Sequence, residues 1–296
     1  MTIAIAGGSG FLGRKLAARL TAAGHRVLTL TRRAGGAADT ITWHPDGSAG
    51  ALPQQLAGTD VIVNLAGENI ASRRWSAAQK ELLRSSRILP TRTLARAISQ
   101  SVTPPKIFIS ASGAGYYGPH GDEPVTEETP PGADFFGRLC VDWEGEARAV
   151  PPATRLVMVR SGVAMANDGG ALQKMLLPFK LGLGATLGSG RQFFPWIHVD
   201  DWTAMVMWMI DNDRVSGAVN ATASTPVTNR TFTRTLGRVL NRPAVFQAPA
   251  FVLRAALGEL ADVLLTGQRV VPARAEQLGF VFAHPTLEPA LRSLQL

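Results

Sequence analysis

The sequence predicts an α/β protein: a doubly wound parallel sheet with a smaller C-terminal α/β lobe. Three observations carry the prediction. Residues 1–31 read as an apolar run, a glycine turn, an amphipathic run and a second apolar run, one βαβ unit of about 30 residues. Short apolar runs then alternate with segments of helical periodicity as far as Arg160, and such alternation means parallel strands joined by right-handed crossovers. Beyond Val163 that alternation gives way to glycine-rich loops and separate helices.

The elements follow in order. Ile3 to Ala6 carries no charge, as a strand buried on both faces requires. The amphipathic run from Arg14 to Ala23 ends at Gly24, and Arg26 to Thr31 is the second strand. Thr40 to Trp43 is a short alternating strand, closed by a Pro-Asp-Gly turn at 45–47. Asp60 to Ala66 is the next buried strand. Ser76 caps a helix that extends to Val102, and Pro90 within it predicts a kink or a split. Lys106 to Ser112 and Leu156 to Arg160 are further strands. Ala171 to Leu181 reads as a helix and Trp196 to Val199 as strand-like, and Asp200 or Asp201 caps a helix running to about Asn212. Val219 to Thr222 returns a strand to the sheet. Helices at Thr231–Leu240 and Phe251–Leu265, with a strand pair near Val245 and Phe280, make the C-terminal lobe.

The chemistry begins at the first turn. Gly7, Gly10 and Gly13 are spaced G-x-x-G-x-x-G around Phe11 and Leu12, between strand and helix. Gly7 makes the tight turn, Gly10 lets backbone N–H groups approach a pyrophosphate, and Gly13 lets the helix lie close on the strand. The helix N-terminus faces the anion with its positive end. A dinucleotide site that prefers NAD has an acid at the end of the second strand, to accept from the ribose 2′-OH. Here that place reads Thr31-Arg32-Arg33, with no acid before Asp39. A guanidinium grips a 2′-phosphate that a carboxylate would repel, so the sequence predicts NADP(H). Ligands of such sheets sit beyond the strand carboxyl ends, which gathers Gly7–Gly13, Arg32, Leu65-Ala66-Gly67 and Ser110–Ser112 around one crevice. The expected division is 1–168 for the cofactor, with 196–224 returning to it, and 169–195 with 225–296 as the lobe on the substrate side.

Composition narrows the function classes. A hydrophobic fraction of 46% against 18% charged residues describes an ordinary globular chain, not a disordered one. No apolar run approaches the ~20 residues of a membrane span, and the glycine turn arrives where the apolar core of a secretion signal would continue. Cys140 is the only cysteine, which excludes an intrachain disulfide and fits a cytoplasmic location. The net charge of +8 is thinly spread, in pairs such as Arg32-Arg33 and Arg73-Arg74. Aromatic residues are not interleaved with it as a stacking platform needs, so neither nucleic acid nor membrane is expected as a partner.

Several of these stretches resemble the extended short-chain dehydrogenase/reductases: Gly7-Gly-Ser-Gly-Phe-Leu-Gly13, Asn64-Leu-Ala-Gly67, Ser110-Ala-Ser112 followed by Tyr116-Tyr-Gly118, and Trp196-Ile-His-Val-Asp-Asp201. Asp142-Trp-Glu144, Arg160-Ser-Gly-Val163, Gly188-Ser-Gly-Arg-Gln192 and Gly267-Gln-Arg-Val270 are similar to an atypical branch, the epimerase family, which carries an extra C-terminal domain of unknown function. The resemblance spans essentially the whole chain. It implies a Rossmann-type fold, NADP(H) at the positions above together with Ala164, and Glu81 and Arg87 of the long helix as cofactor neighbours.

That superfamily usually works with a Ser and a Tyr whose phenol is tuned by a Lys four residues on. This chain has two tyrosines, Tyr116 and Tyr117, and no Tyr-x-x-x-Lys; the corresponding stretch reads Phe135-Phe-Gly-Arg-Leu-Cys140. Ser112, Tyr116 and Tyr117 are therefore the catalytic candidates, and Arg191 and His198 the substrate-side ones. A single Cys and five histidines without paired spacing predict no metal site. Two functions stay open: an oxidoreductase or epimerase-like enzyme on a small substrate, or an NADPH-binding sensor without turnover.

Overall fold

A computed structural model of the chain describes residues 1–33 and 38–296. Seven parallel strands form the central sheet: β1 Thr2–Ala6, β2 Arg26–Thr31, β3 Thr40–Thr42, β4 Val61–Asn64, β5 Ile107–Gly113, β6 Arg155–Ser161 and β7 Gly217–Ala221. Their order is 7-6-5-4-1-2-3. The direction of winding reverses between β1 and β4, which opens a crevice beyond their carboxyl ends.

Strand alternation feeds two cores. Ile3 and Ile5 of β1, Val61 and Val63 of β4, and Val157 and Val159 of β6 face one side. There they meet Leu16 and Leu20 of helix α1 (Phe11–Ala22) and Met205 and Met209 of the helix Val199–Asp211. Ala4, Ala6, Ile62 and Phe108 face the other side. They are covered by Leu94, Ala97 and Ile98 of α2 (Ala77–Gln100) and by Ala147 of α3 (Phe135–Ala147). Burying each large aliphatic chain contributes roughly 1.5–3 kcal/mol. A third core joins Phe232 and Leu236 to Leu172, Leu287 and Leu291 among the C-terminal helices.

Four expectations need correction. Pro90 does not split α2, a single helix of 24 residues capped by the Ser76 hydroxyl, which accepts from the Gln79 amide at 3.2 Å. Packing outweighs the lost hydrogen bond: Leu83, Ile88, Leu94 and Ile98 are buried on either side, and the Thr91 hydroxyl donates to the Arg87 carbonyl at 2.7 Å. The cap of the helix Val199–Asp211 is His198 rather than an aspartate, its Nδ1 accepting from the Asp200 amide at 3.1 Å. Asp201 instead accepts from the amides of Ala283 and His284. The stretch expected as one helix at 251–265 is two, Ala250–Leu257 and Leu260–Leu265, separated by Gly258 at φ 62°. Phe246–Ala248 pairs with Ala185–Leu187, while Phe280 is in no strand and packs on Trp208 and Phe282.

Candidate functional site

The first turn is shaped by contacts that only glycine permits. At Gly7 (φ 80°) a Cβ would stand 2.7 Å from the Leu65 carbonyl, so the turns after β1 and β4 touch backbone to backbone. At Gly13 a Cβ would stand 2.2 Å from the Gly7 oxygen, which fixes α1 against the turn. Gly10 differs: a Cβ there would meet only that oxygen, at 3.1 Å. It is the N-cap of α1, where no side chain caps the helix and the first turn holds no acid. The exposed amides and positive dipole end of α1 are thus left to an anion. Phe11 and Leu12 pack inward on the core, and the Phe11 ring lies against Gly169 and Gly170, just past Ala164.

At the end of β2 the Thr31 hydroxyl accepts from the Arg33 amide at 3.1 Å, and both arginine side chains are exposed. Arg32 has no ion pair among the described residues, and the first acid after β2, Asp39, is taken by Arg26 at 3.2 Å. Leu65, Ala66 and Gly67 follow β4, with Arg87 beneath them, its guanidinium carbon 3.4 Å from where a Gly67 Cβ would lie. Arg87 is buried, donates to the carbonyls of Leu83 and Glu68, and has no carboxylate partner among the described residues. Burial pulls its guanidinium below the ordinary value. Its Nε and the Ser110 hydroxyl on β5 are buried without hydrogen-bond partners among the described residues. Glu81 stands exposed near the start of α2.

Beside the crevice lies a buried polar network that the sequence does not disclose. Glu144 of α3 pairs bidentately with Arg160 of β6, at 2.8 and 3.0 Å. It also accepts from Ser112 at 2.8 Å and from Arg148 at 3.0 Å. Arg160 continues to the Tyr117 hydroxyl at 3.0 Å, which donates to Asn220 at 2.6 Å. Tyr117 is fully buried, and burial pushes its phenol up to about 12 against the opposing effect of Arg160. Ser112 and Tyr117 are therefore engaged within the protein. The Tyr116 hydroxyl, by contrast, makes no hydrogen bond among the described residues, while its ring carries the Arg160 guanidinium at 3.4 Å.

The place of the missing Tyr and Lys is apolar. Phe136 lies over the turn that follows β5 so closely that a Gly115 Cβ would sit 1.8 Å from its ring. Four residues on, Cys140 is buried near the Gly113 carbonyl, and burial pushes its thiol up to about 12. Phe135 and Phe136 pack with Trp75, Leu257 and Leu260, so the two C-terminal helices cover this side.

The substrate-side candidates lie apart from this network. Arg191 lines a cleft in the C-terminal lobe with Arg230 and Arg269. His198 is buried, stacked on His284 at 3.8 Å, with Nε2 3.3 Å from the Ser293 hydroxyl. His198, Asp200 and His284 bring ligand atoms within 4.8 Å of one another, a grouping that sequence spacing could not show. Both ring nitrogens of His198 already have protein partners, which leaves no lone pair for a cation. Among the described residues no helix is long and apolar enough to cross a membrane.

Residues 3–221 match the NAD dependent epimerase/dehydratase family, and residues 248–294 match a domain of unknown function, DUF1731. The epimerase family protein Mb2239 of Mycobacterium bovis is 44% identical over 291 residues, covering 98% of this chain and 96% of its own. The epimerase family protein SDR39U1 of Bos taurus is 43% identical over 300 residues, covering 99% of each. The crystal structure of human epimerase family protein SDR39U1 (isoform 2) with NADPH superposes with a TM-score of 0.93 at 39% identity, over 99% of both chains.

Proposed function

The chain belongs to the NAD dependent epimerase/dehydratase family, and from that premise we propose that it binds NADP(H) and is a weak or specialised oxidoreductase or epimerase on a small substrate. One observation carries the cofactor reading: an uncapped helix start behind a glycine turn, with the unpaired Arg32 and no free acid at the end of β2. The residues present fit the group. Gly10 and the first amides of α1 would hold the pyrophosphate, Arg32 the 2′-phosphate, and the unsatisfied Arg87 Nε and Ser110 hydroxyl would meet polar groups of the nicotinamide half. The cofactor supplies a hydride when bound.

The chain's own share of the chemistry is a proton and a closed site. Of the three catalytic candidates, Tyr116 has the uncommitted hydroxyl, so it is assigned the proton; Ser112 and Tyr117 position Glu144 and Arg160. Residues 1–168 and 196–224 are assigned to the cofactor, and 169–195 and 225–296 to the substrate side, where Leu257 and Leu260 exclude water from the Phe136 face. General acid–base catalysis contributes about 10²–10⁴-fold, so without a lysine-tuned phenol turnover should be slow. Nicotinamide absorbance followed with NADP⁺ on alcohols and with NADPH on aldehydes, with nucleotide sugars assayed for the epimerised product, tests this: slow turnover on a few compounds, lost in Tyr116→Phe and kept in Tyr117→Phe. Rapid turnover that survives Tyr116→Phe would overturn the assignment. A second reading, a cofactor-dependent sensor, is favoured by Phe136 and Cys140 in place of the acid–base pair, and total absence of turnover across the panel would select it.

A further inference from the structure

The net charge of +8 is thin along the sequence, but six of the arginines line two neighbouring clefts of the C-terminal lobe. The helix Asn229–Val239 carries Arg230, Arg234 and Arg238 at four-residue intervals, on one face and about 6 Å apart along its axis. Arg242 follows just beyond. These four guanidinium groups, with Val245 and Phe246, line a cleft of about 1100 Å³ with no carboxylate among its described lining residues. Arg230 also borders a second cleft, of about 570 Å³, with Arg191, Arg269 and Phe193, so the two adjoin at Arg230. Against these arginines stand Asp122 in the second cleft and Glu288, which holds Arg238 at 2.9 Å. The Arg191 and Arg234 side chains have no partner among the described residues. The first cleft also offers an aromatic ring, Phe246, 52% exposed, while in the second the half-buried Phe193 carries the Arg269 guanidinium 5.7 Å from its ring centre.

We propose that this arginine track on the C-terminal lobe binds single-stranded nucleic acid, separately from the crevice beyond β1 and β4. Guanidinium groups in line neutralise successive phosphates, and the exposed Phe246 ring beside them stacks an unpaired base. The alternatives fit less well. A duplex hides the faces of its bases, and a bilayer is flat where the arginines line hollows. A second copy of the chain, meeting across a two-fold axis, would set arginine against arginine. A single triphosphate is shorter than a track that extends about 12 Å from Arg230 to Arg238 and continues at both ends.

The test is the fluorescence anisotropy of a labelled 12-nucleotide single-stranded RNA titrated with the intact protein, with and without saturating NADPH. Binding should occur at 50 mM salt and weaken on the order of 10²-fold at 200 mM, as expected when about five phosphates are neutralised on a single strand. Arg234→Glu should weaken it at least ~10-fold, and Phe246→Ala should weaken it with an unchanged salt slope, since stacking carries no charge. Both variants should keep the parent's melting temperature and NADPH affinity. The proposal is overturned by no binding at 50 mM salt, by undiminished binding in Arg234→Glu, or by displacement of the RNA by NADPH. It is equally overturned if duplex RNA, tripolyphosphate or anionic phospholipid vesicles bind as well as the single strand. Loss of NADPH binding alone would count against the cofactor reading and leave this one standing.

Discussion

Gly10 is the glycine of the turn whose added Cβ would meet only one protein atom, the Gly7 oxygen at 3.1 Å, and the proposed pyrophosphate site rests on that opening. Gly7 and Gly13 are held by their own backbone neighbours, so any side chain there would distort the turn. Gly10→Val, by contrast, should leave the melting temperature within about 2 °C and raise the NADPH dissociation constant at least ~100-fold, because the new methyls fill the approach to the α1 amides. Calorimetry and a thermal melt check the two halves separately; unaltered NADPH affinity would place the phosphates elsewhere. These glycines are legible in the sequence because turn, helix start and close approach are all local and read from one spacing. Tyr117 is not, since nothing near it in sequence shows that Asn220 and Arg160 enclose its hydroxyl.

Between elements, the Glu144–Arg160 pair ties α3 to β6, and Ser112 adds β5. The side chains of Glu144 and Arg160 are 0% and 3% exposed, so removing one leaves the other as a buried unpaired charge. Glu144→Ala should lower unfolding stability by about 3–5 kcal/mol, the usual cost of breaking a buried pair from one side; chemical denaturation measures it, and a loss below 1 kcal/mol would contradict the burial. Helix and strand order was legible, from apolar runs and from Ser76 as a cap. The failures share one physical reason, that tertiary contacts overrule local signals. Packing on both sides carries α2 through Pro90. Gly258 takes a left-handed conformation beside Arg74 and breaks a stretch that reads as continuous helix.

Across the whole molecule, the C-terminal segment closes on the sheet domain around His198. Burial, and secondarily the neighbouring His284, lowers the pKa of His198 below 6.5, so the folded state holds it neutral while the unfolded chain takes up a proton. The associated stability is complete above about pH 6.5 and is lost as pH falls through the lowered folded value. Denaturation midpoints between pH 7.5 and 5.5 should therefore decline, and decline less in His198→Gln; parallel curves would remove His198 from the account. This joint could not be read from the sequence, because His198 and His284 are 86 positions apart and only the fold stacks them. The cofactor crevice could, because strand, glycine turn, helix and Arg32 lie within one stretch of chain. This crevice is proposed to select the 2′-phosphate through Arg32. Calorimetric titration of the unmutated protein and of Arg32→Ala with NADPH and with NADH tests it most directly. NADPH should bind more tightly, with about 1.5–3 kcal/mol of that preference, the worth of a hydrogen bond to a charged group, disappearing in Arg32→Ala. Equal affinities for the two cofactors in the unmutated protein would contradict it.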